Sequence, residues 1–256
     1  MKARTLAAVA APLFWNNWLL PRLRLDRRGR TAANVVAATG YALVFEGRPH
    51  WTSARGLRCG ATCAGIVAAG YAVALLIPPI RRGLGDSGDR APDVSTAEWV
   101  AVHITFGTVY AEELVFRATL DPLLDREFGT AAGGVAGATV FGLWHLHPAR
   151  AARDNVWGAV AFTTVVGLIF GALNRRTGSA AAPALLHWAV NAGGAVLSRR
   201  ARVDRLTAAR EPRCGPDDRA VGEVAETLGG KAIRGRARVI GADPGRDRPE
   251  DGTLRR

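Results

Sequence analysis

Residues 59–80, CGATCAGIVAAGYAVALLIPPI, run for 22 positions without one charged side chain. A bilayer core of about 30 Å requires roughly 20 mostly apolar helical residues, so this stretch has the length and composition of a membrane span. It closes at Pro78 and Pro79, and Arg81–Arg82 then place charge outside the apolar layer. Such a stretch makes the whole-chain averages misleading. The mean hydropathy is only +0.06 because residues 199–256 hold 15 basic and 10 acidic side chains and dilute an apolar body.

Further segments follow the same pattern. Residues 156–174 end at Arg175–Arg176, 131–147 end at Pro148, and 179–198 end at Arg199–Arg200. Residues 98–120 carry charges in their middle, and 31–46 are short for a span. Residues 5–20 follow Met-Lys-Ala-Arg like the apolar part of a signal peptide, but Asn16, Asn17 and two Trp do not suit a small-residue cleavage site. They read as an uncleaved span or an interfacial helix. The expected fold is all-α: a polytopic bundle of six to seven transmembrane helices over residues 1–198, with a motif-bearing core at 95–198. A polar, Arg-rich, disordered C-terminal tail is expected over 199–256.

Arginine placement orients this bundle. With seven helices, the connections 21–30, 81–97 and 148–155 and the tail carry 5, 3, 2 and 15 Lys/Arg, against 2, 3, 1 and 2 for residues 1–4, 47–58, 121–130 and 175–178. The richer set belongs in the cytoplasm, and the tail with it. The net charge of +12 therefore points to anionic-lipid contact and not to nucleic acid. Basicity is almost wholly arginine, Lys2 and Lys231 being the only lysines; with the Ala- and Gly-rich composition this suggests a GC-rich bacterial genome and a plasma-membrane location. No zinc-finger, RNP or phosphate-loop pattern is present. Three cysteines, Cys59, Cys63 and Cys214, exclude a disulfide scaffold.

Ionisable groups inside membrane helices cost roughly 2.5–3.5 kcal/mol each on insertion scales, so each is a functional candidate. They concentrate here in three segments: A-E-E-L-V-F-R (Glu112, Glu113, Arg117), F-G-L-W-H (Phe141, His145) and H-W-A-V-N (His187, Asn191). Glu113 and Arg117, at i,i+4, can pair. Glu112 points about 100° away and lacks that partner, as a general base requires. His187 and Asn191 share a face suited to an oxyanion, and His145 can hold water beside Glu112. His147 beside Pro148 reads as interfacial and His50 as solvated. His103 lies half a turn from Glu112 and is expected to face elsewhere.

E-E-x-x-x-R, F-x-x-x-H and H-x-x-x-N, in that order, resemble the CPBP family of intramembrane proteases, which includes the type II CAAX-prenyl endopeptidases and the bacterial Abi-type proteins. The resemblance covers about residues 95–198. It implies peptide hydrolysis inside or at the edge of the bilayer, on a membrane protein or peptide substrate. Glu112 and His145 would activate water, His187 and Asn191 would stabilise the oxyanion, and Glu113, Arg117 and Phe141 would support them. The family was long described as metalloproteases, and Glu112, His145 and His187 form a possible zinc set. Without H-E-x-x-H, a metal-free mechanism suits these residues better, and no cofactor is expected. Two other readings compete: a non-catalytic immunity or scaffold protein of the same fold, and a proton-coupled transporter.

Overall fold

The computed structural model describes residues 2–80 and 93–210. Of these, residues 2–80 and 93–209 belong to one packed unit. Among the described residues there are seven long helices, one short one, a further helical turn at 78–80 and no strand. Helix α1 covers residues 3–22, with a π segment at Trp15–Leu19. Helix α2 is Arg27–Phe45 and α3 is Ala54–Leu76. Helix α4 starts at Thr96 and continues to 128, where Gly129 (φ 80°, ψ 161°) breaks it; α5 then runs from 130 to 144. The short α6 is Leu146–Ala152, α7 is Val156–Thr177 and α8 is Ala181–Arg210.

Local chemistry sets these boundaries. Asp26, Ser53 and Asn155 each accept the N–H of the residue three positions on, satisfying an orphan donor of α2, α3 and α7. Ser95 accepts from the N–H of Glu98 at 3.1 Å, in the Ser-x-x-Glu arrangement of a capping box. Ile77 is extended ahead of Pro78, so α3 stops there and not at Ile80. The break between α5 and α6 falls at His145 (φ −89°, ψ 3°), three residues before the expected stop at Pro148; Pro148 sits in the first turn of α6, where its missing N–H costs little. Helix α8 runs through Arg199–Arg200 to Arg210. The first residues of the expected disordered tail, 199–210, are therefore helical, and residues 211–256 lie outside the described ones.

Helices α3 (mean hydropathy 1.8) and α7 (2.0) are each long and apolar enough to cross a membrane. The other expected spans are helical but shorter, interrupted or loaded with polar side chains. The outward side of α7 is apolar, with Trp157 and Phe162 exposed by 72% and 69%. The interior closes around Phe116, Leu120, Leu124, Phe141, Trp144 and Phe170. Helix α1 is built into it: Ala8 and Leu20 are buried, and the Ala8 carbonyl accepts from the Tyr41 hydroxyl at 2.8 Å.

Helices α5 and α7 approach closely. A Cβ on Gly142 would strike Thr164 Oγ1 and lie 2.7 Å from the Val160 carbonyl oxygen. Gly142→Ala should cost about 1–3 kcal/mol by forcing the helices apart, read as a lower unfolding temperature in detergent. An unchanged temperature would mean that the two helices adjust freely. Across the other end, Arg175 grips Asp125 through two hydrogen bonds of 2.8 Å, fixing α7 to α4.

At the exposed ends, Arg4 donates to Glu46 at 2.8 Å and Arg27 to Asp93 at 2.6 Å. These hydrogen bonds hold both carboxyls below their usual range. A depressed carboxyl contributes stability above its ordinary pKa and loses it as pH falls through the folded value. Both pairs face solvent, so Glu46→Gln and Asp93→Asn should leave the unfolding temperature at pH 7 nearly unchanged; a fall of many degrees would show that these ends are tied more firmly.

Candidate active site

Helix α4 carries Glu113, Arg117 and Asp121 on one stripe, four residues apart, and all three are at most 2% exposed. Arg117 Nε stands 3.5 Å from Glu113 Oε2, a charge contact, and Nη1 donates to Asp121 Oδ2 at 3.0 Å. The guanidinium lies over the Phe141 ring, 4.8 Å from its centroid, which is the supporting part Phe141 plays. Asn174 on α7 donates to the Arg117 carbonyl at 2.9 Å. Sequence reading found the Glu113–Arg117 pair and missed Asp121, although the same four-residue step continued would have found it.

Glu113 also accepts from His187 on α8, Nδ1 to Oε1 at 2.8 Å. Its charge fixes the hydrogen on Nδ1 and leaves Nε2 facing the interior. His145 is held in the same sense: Nδ1 lies 2.8 Å from the Phe141 carbonyl, which can only accept. Both rings, when neutral, thus present the Nε2 lone pair. Each Nε2 is 4.0 Å from Glu112 Oε2.

Glu112 is 7% exposed. Its Oε1 accepts from Trp144 Nε1 at 3.2 Å, while Oε2 is buried without a hydrogen-bond partner among the described residues. Two cavities meet at this carboxylate. One, of about 300 Å³, is mainly apolar and is lined by Phe141, Phe162, Phe170, His187 and Asn191. The other, of about 590 Å³, is the more polar of the two and is lined by Asn16, Arg30, Asn34 and His103 among others. Thr108, Glu112 and His145 line both.

His103 does not face elsewhere. Nine α-helical residues would turn it half a revolution from Glu112, but Trp99–Tyr110 is π-helical. Such a stretch turns roughly 80° per residue against 100°, removing about 140° of the offset between 103 and 110. Thr31 Oγ1 lies 2.7 Å from its Nδ1 and Glu98 Oε1 is 3.6 Å from its Nε2. The His50 carbonyl accepts from the Ser179 hydroxyl and the Ser53 N–H, and the His147 N–H is bound by Asn17.

One carboxylate and two imidazoles, each anchored through Nδ1, have the chemistry of a zinc set. Two donors on a tetrahedral zinc with bonds of about 2.0–2.1 Å stand roughly 3.3 Å apart, whereas both separations here are 4.0 Å. A water hydrogen-bonded at about 2.8 Å to two partners at its tetrahedral angle spaces them about 4.6 Å apart, so 4.0 Å lies between the two spacings. Among the described residues no group of three or more His, Cys, Asp or Glu is arranged to hold a metal ion.

Residues 95–193 match the family model of the type II CAAX prenyl endopeptidases, Rce1-like. The match opens at the cap of α4 and closes just past Asn191, so it takes in all three motifs. Over this segment the chain is similar to the Rce1-like domains. With α3 and α7 as apolar helices of spanning length, the chain is a membrane protein. No curated protein and no solved structure matches it.

Proposed function

We propose that this chain is an intramembrane endopeptidase that hydrolyses peptide bonds in membrane-associated or lipidated proteins, without a metal. The observation that carries this reading is Glu112 Oε2, buried, without a hydrogen-bond partner among the described residues and equidistant from two imidazole nitrogens. A water placed there donates one proton to the carboxylate while His145 Nε2 orients it toward a carbonyl held in the apolar cavity. The water oxygen bonds to the carbonyl carbon, and Glu112 takes the proton. The carbon–nitrogen bond then breaks as Glu112 returns that proton to the leaving amine.

His187 and Asn191 line the cavity where the oxyanion would form. Because Nδ1 of His187 is committed to Glu113, it can donate only through Nε2–H, and the Glu113 carboxylate supports the charge that the ring then carries. The apolar cavity suits the membrane-embedded part of a substrate and the polar one admits water. We place the protein in the bacterial plasma membrane, in contact with anionic lipid, with the tail cytoplasmic.

Two measurements test this. Chelator-treated, metal-analysed protein should keep full peptidase activity; loss restored by zinc would overturn the metal-free mechanism. Membranes from cells expressing wild type should contain cleaved peptides absent from cells expressing Glu112→Ala at equal level. Identical peptide sets would remove the enzyme reading, and pH-driven ion flux in proteoliposomes would put a transporter in its place.

A further inference from the structure

Asn16 and Asn17 stand side by side in the apolar run of α1, outside the segment that the family model matches. A carboxamide in such a place is costly unless its hydrogen bonds are met, and here they are met on the backbone that carries His145. Asn16 Nδ2 donates to the Trp144 carbonyl at 2.7 Å and Asn17 Nδ2 to the Leu143 carbonyl at 3.0 Å. Asn17 Oδ1 accepts from the His147 N–H at 2.8 Å. The carbonyls belong to the last turn of α5 and the N–H to the first turn of α6, groups that helix ends leave unsatisfied.

Local geometry explains why two consecutive residues can do this. The π segment Trp15–Leu19 turns less per residue than an α-helix, so neighbours diverge less and both reach α5. The α1 helix is itself anchored beside them: Trp15 Nε1 donates to Asn34 Oδ1 at 2.9 Å, and Asn34 Nδ2 donates to the Gly107 carbonyl at 3.0 Å. The two groups that face Glu112 from the end of α5 and the break after it, Trp144 Nε1 and His145 Nε2, hang from the backbone so clamped.

We infer that Asn16 and Asn17 are positioning residues for the proposed hydrolysis: from α1 they fix the 143–147 backbone, and so the distance of Trp144 and His145 from Glu112. The inference rests on the endopeptidase reading for its kinetic consequence, and on the hydrogen bonds alone for its structural one. Displacing a catalytic group by about 1 Å costs on the order of 100-fold in rate.

The test uses the full-length protein with Asn16→Leu, Asn17→Leu and the half-conservative Asn17→Asp, which keeps the acceptor for His147 and loses the donor to Leu143. Both leucine variants should lower kcat by about 10–100-fold with KM within about two-fold of wild type. Asn17→Asp should fall between wild type and Asn17→Leu. Amide exchange should rise at His147 in Asn17→Leu and stay slow in Asn17→Asp. Unchanged kcat and unchanged exchange would overturn the proposal, as would a rate loss that only tracks the unfolded fraction. If wild type itself cleaves nothing while exchange responds as stated, the clamp stands and the endopeptidase reading falls.

Discussion

Glu112→Gln should reduce peptide cleavage by about 10²–10⁴-fold, the range a positioned general base contributes, while leaving membrane level and unfolding temperature near wild type. The substitution is close to isosteric, and the glutamine carbonyl can still accept from Trp144 Nε1 as Glu112 Oε1 does at 3.2 Å. What changes is the other end. The unpartnered Oε2, 4.0 Å from both Nε2 atoms, becomes an amide nitrogen that donates where a base must accept. The loss should fall on kcat with little change in KM, since an interaction with the attacking water is made mainly in the transition state. The measurement is steady-state cleavage of a membrane peptide alongside a thermal melt. Retained cleavage would mean that water is activated elsewhere, and an equal fall in melting temperature would make Glu112 structural.

Arg117→Met is expected to be the most destabilising single change, at about 3–5 kcal/mol. Arg117 is 1% exposed and sits between Glu113 and Asp121, themselves 0% and 2% exposed. Methionine keeps much of the volume against Phe141 but leaves two carboxylates buried without their cation. The triple change Arg117→Met, Glu113→Gln, Asp121→Asn removes all three charges and should recover most of the loss. It should not recover activity, because His187 loses the carboxylate that holds its Nδ1 hydrogen. Thermal unfolding in detergent, read beside cleavage rate, separates the two effects. A single variant that melts like wild type would show that the ion ladder does not hold α4 in place.

Phe116, Phe141 and Phe170 crowd this ladder, with the guanidinium 4.8–5.8 Å from their ring centroids. Such surroundings explain why charge persists so deep. The apolar rings exclude water, which strengthens the pairs, and each ring face also attracts the cation. Among the described residues Glu112 Oε2, Glu113 Oε2 and Asp121 Oδ1 are all buried without a hydrogen-bond partner, and of these the Glu112 oxygen stands 4.0 Å from two imidazole nitrogens.

Much of this was legible in the chain. The apolar runs at 59–80 and 156–174 appear as α3 and α7, because helix formation under an apolar load depends on nearby residues only. The stacking of Glu113 on Arg117 was legible for the same reason, four residues being one turn. Other features were not. The half-turn assigned to His103 assumed a regular α-helix, and the π stretch at Trp99–Tyr110 is not signalled by apolar periodicity. Asn16 and Asn17 read only as an anomaly, since their partners lie about 130 residues away.

By itself, then, the sequence determined where the long apolar helices run, which residues share a stripe, and which apolar helices carry polar side chains that demand partners. Only the tertiary structure decided who those partners are. Glu113 meets His187 across 74 residues, Glu112 meets Trp144 across 32, and Asn17 meets His147 across 130. The physical reason is that periodicity sets angles around one helix axis, while contacts between axes depend on side-chain packing at each crossing. Close approaches such as Gly142 against Thr164 set those crossings, and they bring Glu112 Oε2 between two imidazoles.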